Sequence, residues 1–245
     1  MPLPKTLYIL EQVDSTNNYA MAKVHAGMAR HGMAWLSMHQ MAGRGSRDKK
    51  WESEMGMNIA LSVVLEPGKL AARGQFYLSA VTALASLDFF SSYAGEETRI
   101  KWPNDLYWRD RKAGGILIEN VIQGSLWKFA VLGIGININQ VRFSSELKNP
   151  VSLKQITGAD YDIIELGGQL YNLLMKKVKE AEEVDQAEIM AQYNRHLYRI
   201  NEPVKLKKGE EILEAMLKGV SPEGQLIITG NTERKLDFGE VEWVL

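Results

Sequence analysis

Three short stretches of this chain gather the residue types that hold anions. They are Gly43-Arg44-Gly45-Ser46-Arg47-Asp48-Lys49-Lys50-Trp51, Lys101-Trp102-Pro103-Asn104-Asp105 and Arg111-Lys112-Ala113-Gly114-Gly115. In the first, two glycines let the backbone approach a ligand closely and adopt positive φ. Arg44 and Arg47 offer the planar fork that suits phosphate or carboxylate oxygens, and Lys49 and Lys50 add compact charge. Trp51 gives a flat apolar face on which a purine could stack. The loop lacks the Gly-Lys-Ser/Thr ending of a Walker A loop, and a solvated basic loop has the same charge pattern.

In the second stretch Pro103 removes a backbone donor, so a regular strand must end or bulge there. Asn104 and Asp105 follow that break, where side chains can turn into a cleft. Asp105 is the kind of oxygen ligand Mg²⁺ uses when it also holds substrate phosphates. Pro-Asn-Asp is equally good β-turn material. In the third stretch Lys112 lies beside small residues and could deliver charge to a phosphate or a developing oxyanion, or stand in solvent on a hairpin. Gly133-Ile134-Gly135-Ile136-Asn137 has no third glycine and sits inside an apolar β run, which excludes a Rossmann fingerprint. Its glycines let another group pack against a strand, with Asn137 at the end. Asp14-Ser15-Thr16-Asn17 reads as a helix N-cap, and a helix N-terminus ringed with hydroxyl and amide groups also suits a polar ligand head.

The elements that must position these residues follow from periodicity. Leu7 to Val13 and Met33 to Gln40 read as strands, with a helix from the Ser15 cap to about Arg30 between them. Met57 to Glu66 is a buried strand ended by Pro67-Gly68, and Gln75 to Tyr93 is a mostly buried helix. Arg99–Lys101, Leu106–Trp108, Gly115–Val121 and Leu126–Ile138 are strands with turns between them. Leu166, Leu170, Leu173, Leu174 and Val178 mark one helix face, and a second helix runs from about Asp185 to His196. Beyond Asn201 the chain returns to short strands with glycine turns, the pattern of a small β-barrel. The fold class expected is α+β, a mixed sheet packed with helices over 1–198, followed by a small β-barrel-like unit over 199–245.

Composition narrows the function classes. The chain has 245 residues, 45% apolar and 24% charged, with a net charge of -1. That balance argues against a protein whose main task is coating nucleic acid, so any cationic site is local. The absence of cysteine removes disulfides, Cys-ligated metals and thioester nucleophiles. His25, His31, His39 and His196 are too scattered to suggest a His-based metal site. No signal peptide and no membrane-length apolar run is read, so a cytoplasmic protein without membrane contact is expected.

Taken in order, these motifs resemble the biotin–protein ligases, also called biotin–[acetyl-CoA-carboxylase] ligases. The matches are Asp14-Ser15-Thr16-Asn17, Gln40 ahead of Gly43-Arg44-Gly45, Lys49-Lys50-Trp51, Lys101 to Tyr107, Arg111-Lys112 with Gly115 to Glu119, Gly135-Ile136-Asn137, and Pro203-Val204-Lys205. They span nearly the whole chain. The resemblance implies an enzyme that makes biotinyl-5′-AMP from biotin and ATP with Mg²⁺, then transfers biotin to a lysine of a biotin carboxyl carrier domain. By matching position, Ser15, Thr16, Asn17, Gln40, Arg44, Gly45, Lys112 and Gly115 would address biotin. Arg47, Lys49, Trp51, Lys101, Asn104 and Asn137 would address ATP and the adenylate, Trp51 and Asn137 meeting the adenine. Lys112, Arg44 and Asp105 would be catalytic, with Asp105 also holding the metal. The shared pattern begins at about residue 10, which implies the form without an N-terminal DNA-binding domain. Position 46 is Ser where the family more often has Arg, implying weaker retention of the adenylate. A lipoate ligase of the sister family, or a non-catalytic biotin-binding module, are the alternatives. An exposed sheet edge would allow a homodimer, a point the sequence leaves open.

Overall fold

The structure is a computed structural model and describes residues 3–47 and 49–244, so Asp48 of the glycine-rich loop lies outside the described residues. The chain begins with β1 (Leu7–Leu10), α1 (Thr16–His25), β2 (Ala34–Ser37) and β3 (Asn58–Leu65). A 3₁₀ turn over Gly68–Arg73 leads into α2 (Gln75–Ala94), followed by β4 (Thr98–Lys101), β5 (Asp105–Trp108), β6 (Arg111–Gln123) and β7 (Leu126–Asn137). Then come α3 (Leu153–Thr157), α4 (Ile163–Ala181) and α5 (Gln186–Arg195). The last stretch is β8 (Pro203–Lys208), β9 (Glu211–Val220), β10 (Leu226–Thr229), β11 (Glu233–Leu236) and β12 (Glu242–Trp243).

The first seven strands form one sheet in the order β1-β2-β3-β7-β6-β5-β4. Only β1 and β2 run parallel; the other neighbours are antiparallel. The last five strands form a second, antiparallel sheet. A mixed sheet packed with helices, and a separate C-terminal β sheet, is the α+β class expected.

Side-chain alternation along the central strands decides where a ligand can lie. In β3, Ile59, Leu61, Val63 and Leu65 join the large core beneath α2 and α4, as do Ala130, Leu132, Ile134 and Ile136 of β7. That core takes Tyr77, Leu84 and Phe90 of α2, and full burial of such side chains stabilises by roughly 1.5–3 kcal/mol each. The opposite face carries Ala60, Ser62 and Val64 from β3 and Val131, Gly133, Gly135 and Asn137 from β7. Val64 and Val131 pack there with Trp35 against Ala20 and Val24 of α1. The remaining positions on this face are small, and they leave a hollow.

Three expectations need correction. The first helix stops at His25 instead of about Arg30, because the chain turns at Gly27 in the left-handed region (φ 69). The strands expected over Leu7–Val13 and Met33–Gln40 pair only over four residues each, with Val13 and Gln40 making an isolated parallel bridge beyond them. The short helix α3 was not foreseen, although Ser152 and Gln155 form the reciprocal capping box that announces it. Pro103 does end β4, and a tight turn leads straight into β5.

Candidate active site

Every residue assigned from the sequence to biotin, to ATP or to catalysis lines one cavity of about 430 Å³ on the small-residue face of the sheet, whereas Asp14, Gly43 and Arg111 of the same motifs do not. That volume lies within the range of small-molecule and cofactor sites, roughly 300–1,000 Å³. Its floor is the paired row Ala60, Gly135 and Gly115. A side chain at Gly135 would put its first carbon 2.6 Å from Cε2 of Trp51. At Gly133 the same carbon would fall 2.8 Å from Cγ of Asn17. The glycines of the Gly-Ile-Gly-Ile-Asn run therefore admit those two side chains, while the isoleucines between them fill the core on the other face.

One end of the cavity is a closed polar network at the start of α1. Ser15 caps the helix. Gln40, brought alongside by the bridge to Val13, accepts from the Thr16 backbone N–H at 2.8 Å and from its hydroxyl at 3.1 Å. Ser62 donates to Asn17 Oδ1 at 2.6 Å and lies 2.8 Å from the Thr16 hydroxyl. Asn17 Nδ2 donates to the Leu117 carbonyl and to Glu119. With these partners fixed, Ser15, Thr16, Asn17 and Gln40 form a rigid polar pocket rather than a set of free side chains.

The middle is covered by Trp51, whose indole lies on Gly135. Its Nε1–H is buried without a hydrogen-bond partner, a condition worth about 1–3 kcal/mol that a ligand acceptor would relieve. The glycine-rich loop crosses here, closed by backbone bonds from Gly45 to Lys49 and from Trp51 to Gly43. Arg44 and Gly45 sit over the cavity, but the Arg44 guanidinium points to Glu119 and Asn18, not toward Lys112. Arg47, with positive φ, places its guanidinium over the Phe238 ring and 3.9 Å from Glu242 of the C-terminal sheet.

The other end is cationic. Lys112 Nζ pairs with Asp105 Oδ1 at 2.6 Å, and both flank Gly115, whose missing side chain keeps this corner open. Lys101 is only 8% exposed and lies between the rings of Tyr107 and Trp243. Burial pushes its ammonium down to about 8; Asp105 pulls the other way, and the positive charges of Lys112, Lys49 and Lys148 add to the depression. A charge held against its own hydration, among other cations, marks a place built to receive an anion. Asn104 donates to the Ile116 carbonyl and Asn137 to the carbonyls of Val151 and Lys112, so both amides already brace the strand that carries Lys112. Among the described residues no group of three or more acidic or His side chains forms a ready metal cage. Asp105 alone could hold Mg²⁺, through the oxygen not paired with Lys112, if phosphates supplied the remaining ligands.

Sequence reasoning missed Ser62, Lys148 and the C-terminal residues Phe238, Val241, Glu242 and Trp243, and it gave no role to Glu119 at the end of the Gly115-to-Glu119 run. Ser62 was detectable as a lone polar residue in an apolar strand. The others depend on chain segments meeting in space. A second cavity of about 490 Å³ adjoins the first through Ser46, Pro103 and Asn104 and is walled by Phe76, Glu223 and Asp237.

Residues 9–137 match the biotin/lipoate A/B protein ligase family, and residues 200–243 match the biotin protein ligase C terminal domain. The bifunctional ligase/repressor BirA of Escherichia coli is 32% identical over 90% of this chain and 68% of its own length. The biotin–[acetyl-CoA-carboxylase] ligase of Paracoccus denitrificans is 31% identical over 93% of this chain and 96% of its own. Among solved structures, a biotin protein ligase from Aquifex aeolicus in complex with biotin and ATP has a TM-score of 0.82 at 27% identity, covering 98% of both chains.

Proposed function

The chain belongs to the biotin/lipoate A/B protein ligase family, and on that premise we propose that it is an ATP-dependent biotin–protein ligase. One observation carries the reading: a single cavity runs from a rigid polar pocket, past an indole on a glycine floor, to a cluster of lysines. Biotin is a polar ring system, an aliphatic chain and a carboxylate in that order. The named relatives and solved structures are biotin ligases, which favours biotin over lipoate.

In the first step a biotin carboxylate oxygen attacks the α-phosphorus of ATP, a P–O bond forms, and pyrophosphate leaves with the electrons of the α–β bridge. Two anions must meet, so their repulsion is the barrier the site has to lower. Lys112 is set for the carboxylate and α-phosphate, with Lys101, Lys49 and Arg47 serving the leaving phosphates. Charge gathers at phosphorus in the transition state, and fixed cations in a shielded cavity stabilise that charge more than they stabilise the separated reactants. Mg²⁺, arriving with the nucleotide and held by Asp105, would neutralise phosphate oxygens. Since the Trp51 indole lies between the polar pocket and Lys112, we assign it to the aliphatic chain rather than to the adenine. The braced Asn104 and Asn137 amides keep their oxygens for the nucleotide.

In the second step a lysine ε-amine of a biotin carboxyl carrier domain attacks the anhydride carbonyl. A C–N bond forms, AMP leaves, and the amine gives up its proton, for which Asp105 is the carboxylate in place. The adjoining cavity walled by Glu223 and Asp237 is an acidic route suited to an incoming lysine. Within this reading, residues 1–198 carry the chemistry and residues 199–245 complete the nucleotide end through Trp243 and Phe238. No helix among the described residues is long and apolar enough to cross a membrane, and we place the enzyme in the cytoplasm.

The test is pyrophosphate release with biotin and ATP, with and without Lys112→Ala. Turnover that depends on biotin and collapses in the variant supports the assignment; near-normal turnover in the variant removes Lys112 from its role.

A further inference from the structure

The Arg44 guanidinium, beside the polar pocket, is tied to a carboxylate. Arg44 Nη1 lies 3.0 Å from Glu119 Oε1 and 2.9 Å from Asn18 Oδ1. The second oxygen of the same carboxylate, Oε2, accepts from Asn17 Nδ2 at 2.9 Å. Asn17 is in turn wedged on Gly133 and tied to Ser62. Glu119 stands on β6 two positions beyond Leu117, on the same strand face, so the alternation of the strand presents it beside α1. One carboxylate thus bridges a fixed wall of the polar pocket and the first arginine of the glycine-rich loop.

We propose that Glu119 is a positioning residue: it anchors the Arg44 side chain so that the backbone of Arg44 and Gly45 is held across the pocket mouth. The anchor neutralises the guanidinium locally, which leaves the work of attracting phosphates to Lys101, Lys112, Lys49 and Arg47. It fixes the loop near its N-terminal end, while Arg47 rests on the C-terminal sheet further along. Loss of the anchor loosens both the pocket wall and the Arg44–Gly45 backbone over the cavity, so ligand retention suffers before the chemical step does. This inference rests on the biotin–ligase reading of the same cavity.

The experiment uses the full chain in four forms: wild type, Glu119→Ala, Arg44→Ala and the double variant. Biotin- and ATP-dependent pyrophosphate release with a saturating biotin carboxyl carrier domain as acceptor gives KM for biotin and kcat, and AMP release without any acceptor protein reports escape and hydrolysis of the adenylate. Each single variant should raise KM for biotin roughly five- to twentyfold, the range expected for a lost charge-assisted contact, with kcat changed far less. AMP escape should rise in parallel. Because the two side chains act through one contact, the double variant should lose no more than the worse single variant. Losses that multiply, or a fall in kcat at constant KM, would overturn the proposal. If Glu119→Ala fails to fold, Glu119→Gln replaces it: it keeps an acceptor for Asn17 but not the charge for Arg44, and should show a smaller rise in KM along the same lines. A wild type that releases no pyrophosphate with biotin and ATP would instead refute the ligase reading, whatever the variants do.

Discussion

Replacing Lys101 with Met should stabilise the ligand-free chain while destroying its use of ATP. The ammonium is held among cations at 8% exposure, and its pKa falls from the ordinary 10.5 to about 8. That fall corresponds to about 3 kcal/mol of penalty for keeping the side chain charged. Met fills a similar volume and keeps contact with the Tyr107 and Trp243 rings, but forfeits two cation–π interactions of roughly 0.5–1 kcal/mol each. The net gain is therefore roughly 1–2 kcal/mol, or roughly 2–8 °C in Tm for a chain of this size. The sign with pH follows from proton counts. Below pH 8 the lysine is charged in both folded and unfolded chains, and the whole penalty is present. Between pH 8 and 10.5 the unfolded chain binds the proton more tightly, so wild-type stability rises with pH and the advantage of Met shrinks. Thermal melts of both proteins from pH 7 to 10.5, without nucleotide, check this. A Lys101→Met protein that melts no higher than wild type at pH 7, or whose difference does not narrow as pH rises, would refute the argument. The same titration predicts that KM for ATP climbs above pH 8 in wild type, as the cation facing the phosphates is lost.

The other expectations follow from contacts already described. Lys112→Ala should lower the rate of pyrophosphate release on the order of 10²–10³-fold, read by steady-state assay at saturating substrates. Gly135→Ala would force Trp51 off its seat and Gly133→Ala would collide with Asn17, so each should weaken biotin binding roughly tenfold or more by calorimetry, with secondary structure kept. Ser46→Arg should slow dissociation of the adenylate roughly tenfold in stopped-flow release, because it returns a cation to a loop that crosses the cavity. Equal off-rates would show that Ser46 does not limit retention.

Much of this was legible in the residues. Met57 to Glu66 and Leu126 to Ile138 read correctly because long apolar runs bounded by turn signals leave little else for a chain to do. Gln75 to Tyr93 was clear for lack of any Gly or Pro. The Gly-Ile-Gly-Ile-Asn run told that something packs on a strand, but not that the two visitors would be Asn17 and Trp51, since only the sheet order brings α1 and the loop to that face. Arg44 was expected to address biotin and to share in catalysis, because a glycine-flanked arginine is a good anion ligand. Its actual partner, Glu119, lies 75 residues away in the chain and gave no local signal. Trp243 escaped notice for a similar reason: a tryptophan near the end of a β strand says nothing of Lys101 until the second sheet is docked. Of the boundaries that failed, Leu10 and Ser37 are ends where strand pairing stops although apolar residues follow, and His25 is a helix end set by the turn at Gly27.

The lysine-lined cavity has to make an activated biotin and then deliver it. Incubating the full chain with a purified biotin carboxyl carrier domain, ATP, Mg²⁺ and biotin, with lipoate as the control, and weighing the carrier by mass spectrometry asks this directly. The carrier should gain the mass of one biotinyl group only when ATP and biotin are both present, and none with lipoate. An unmodified carrier, or one modified by lipoate instead, would contradict the account.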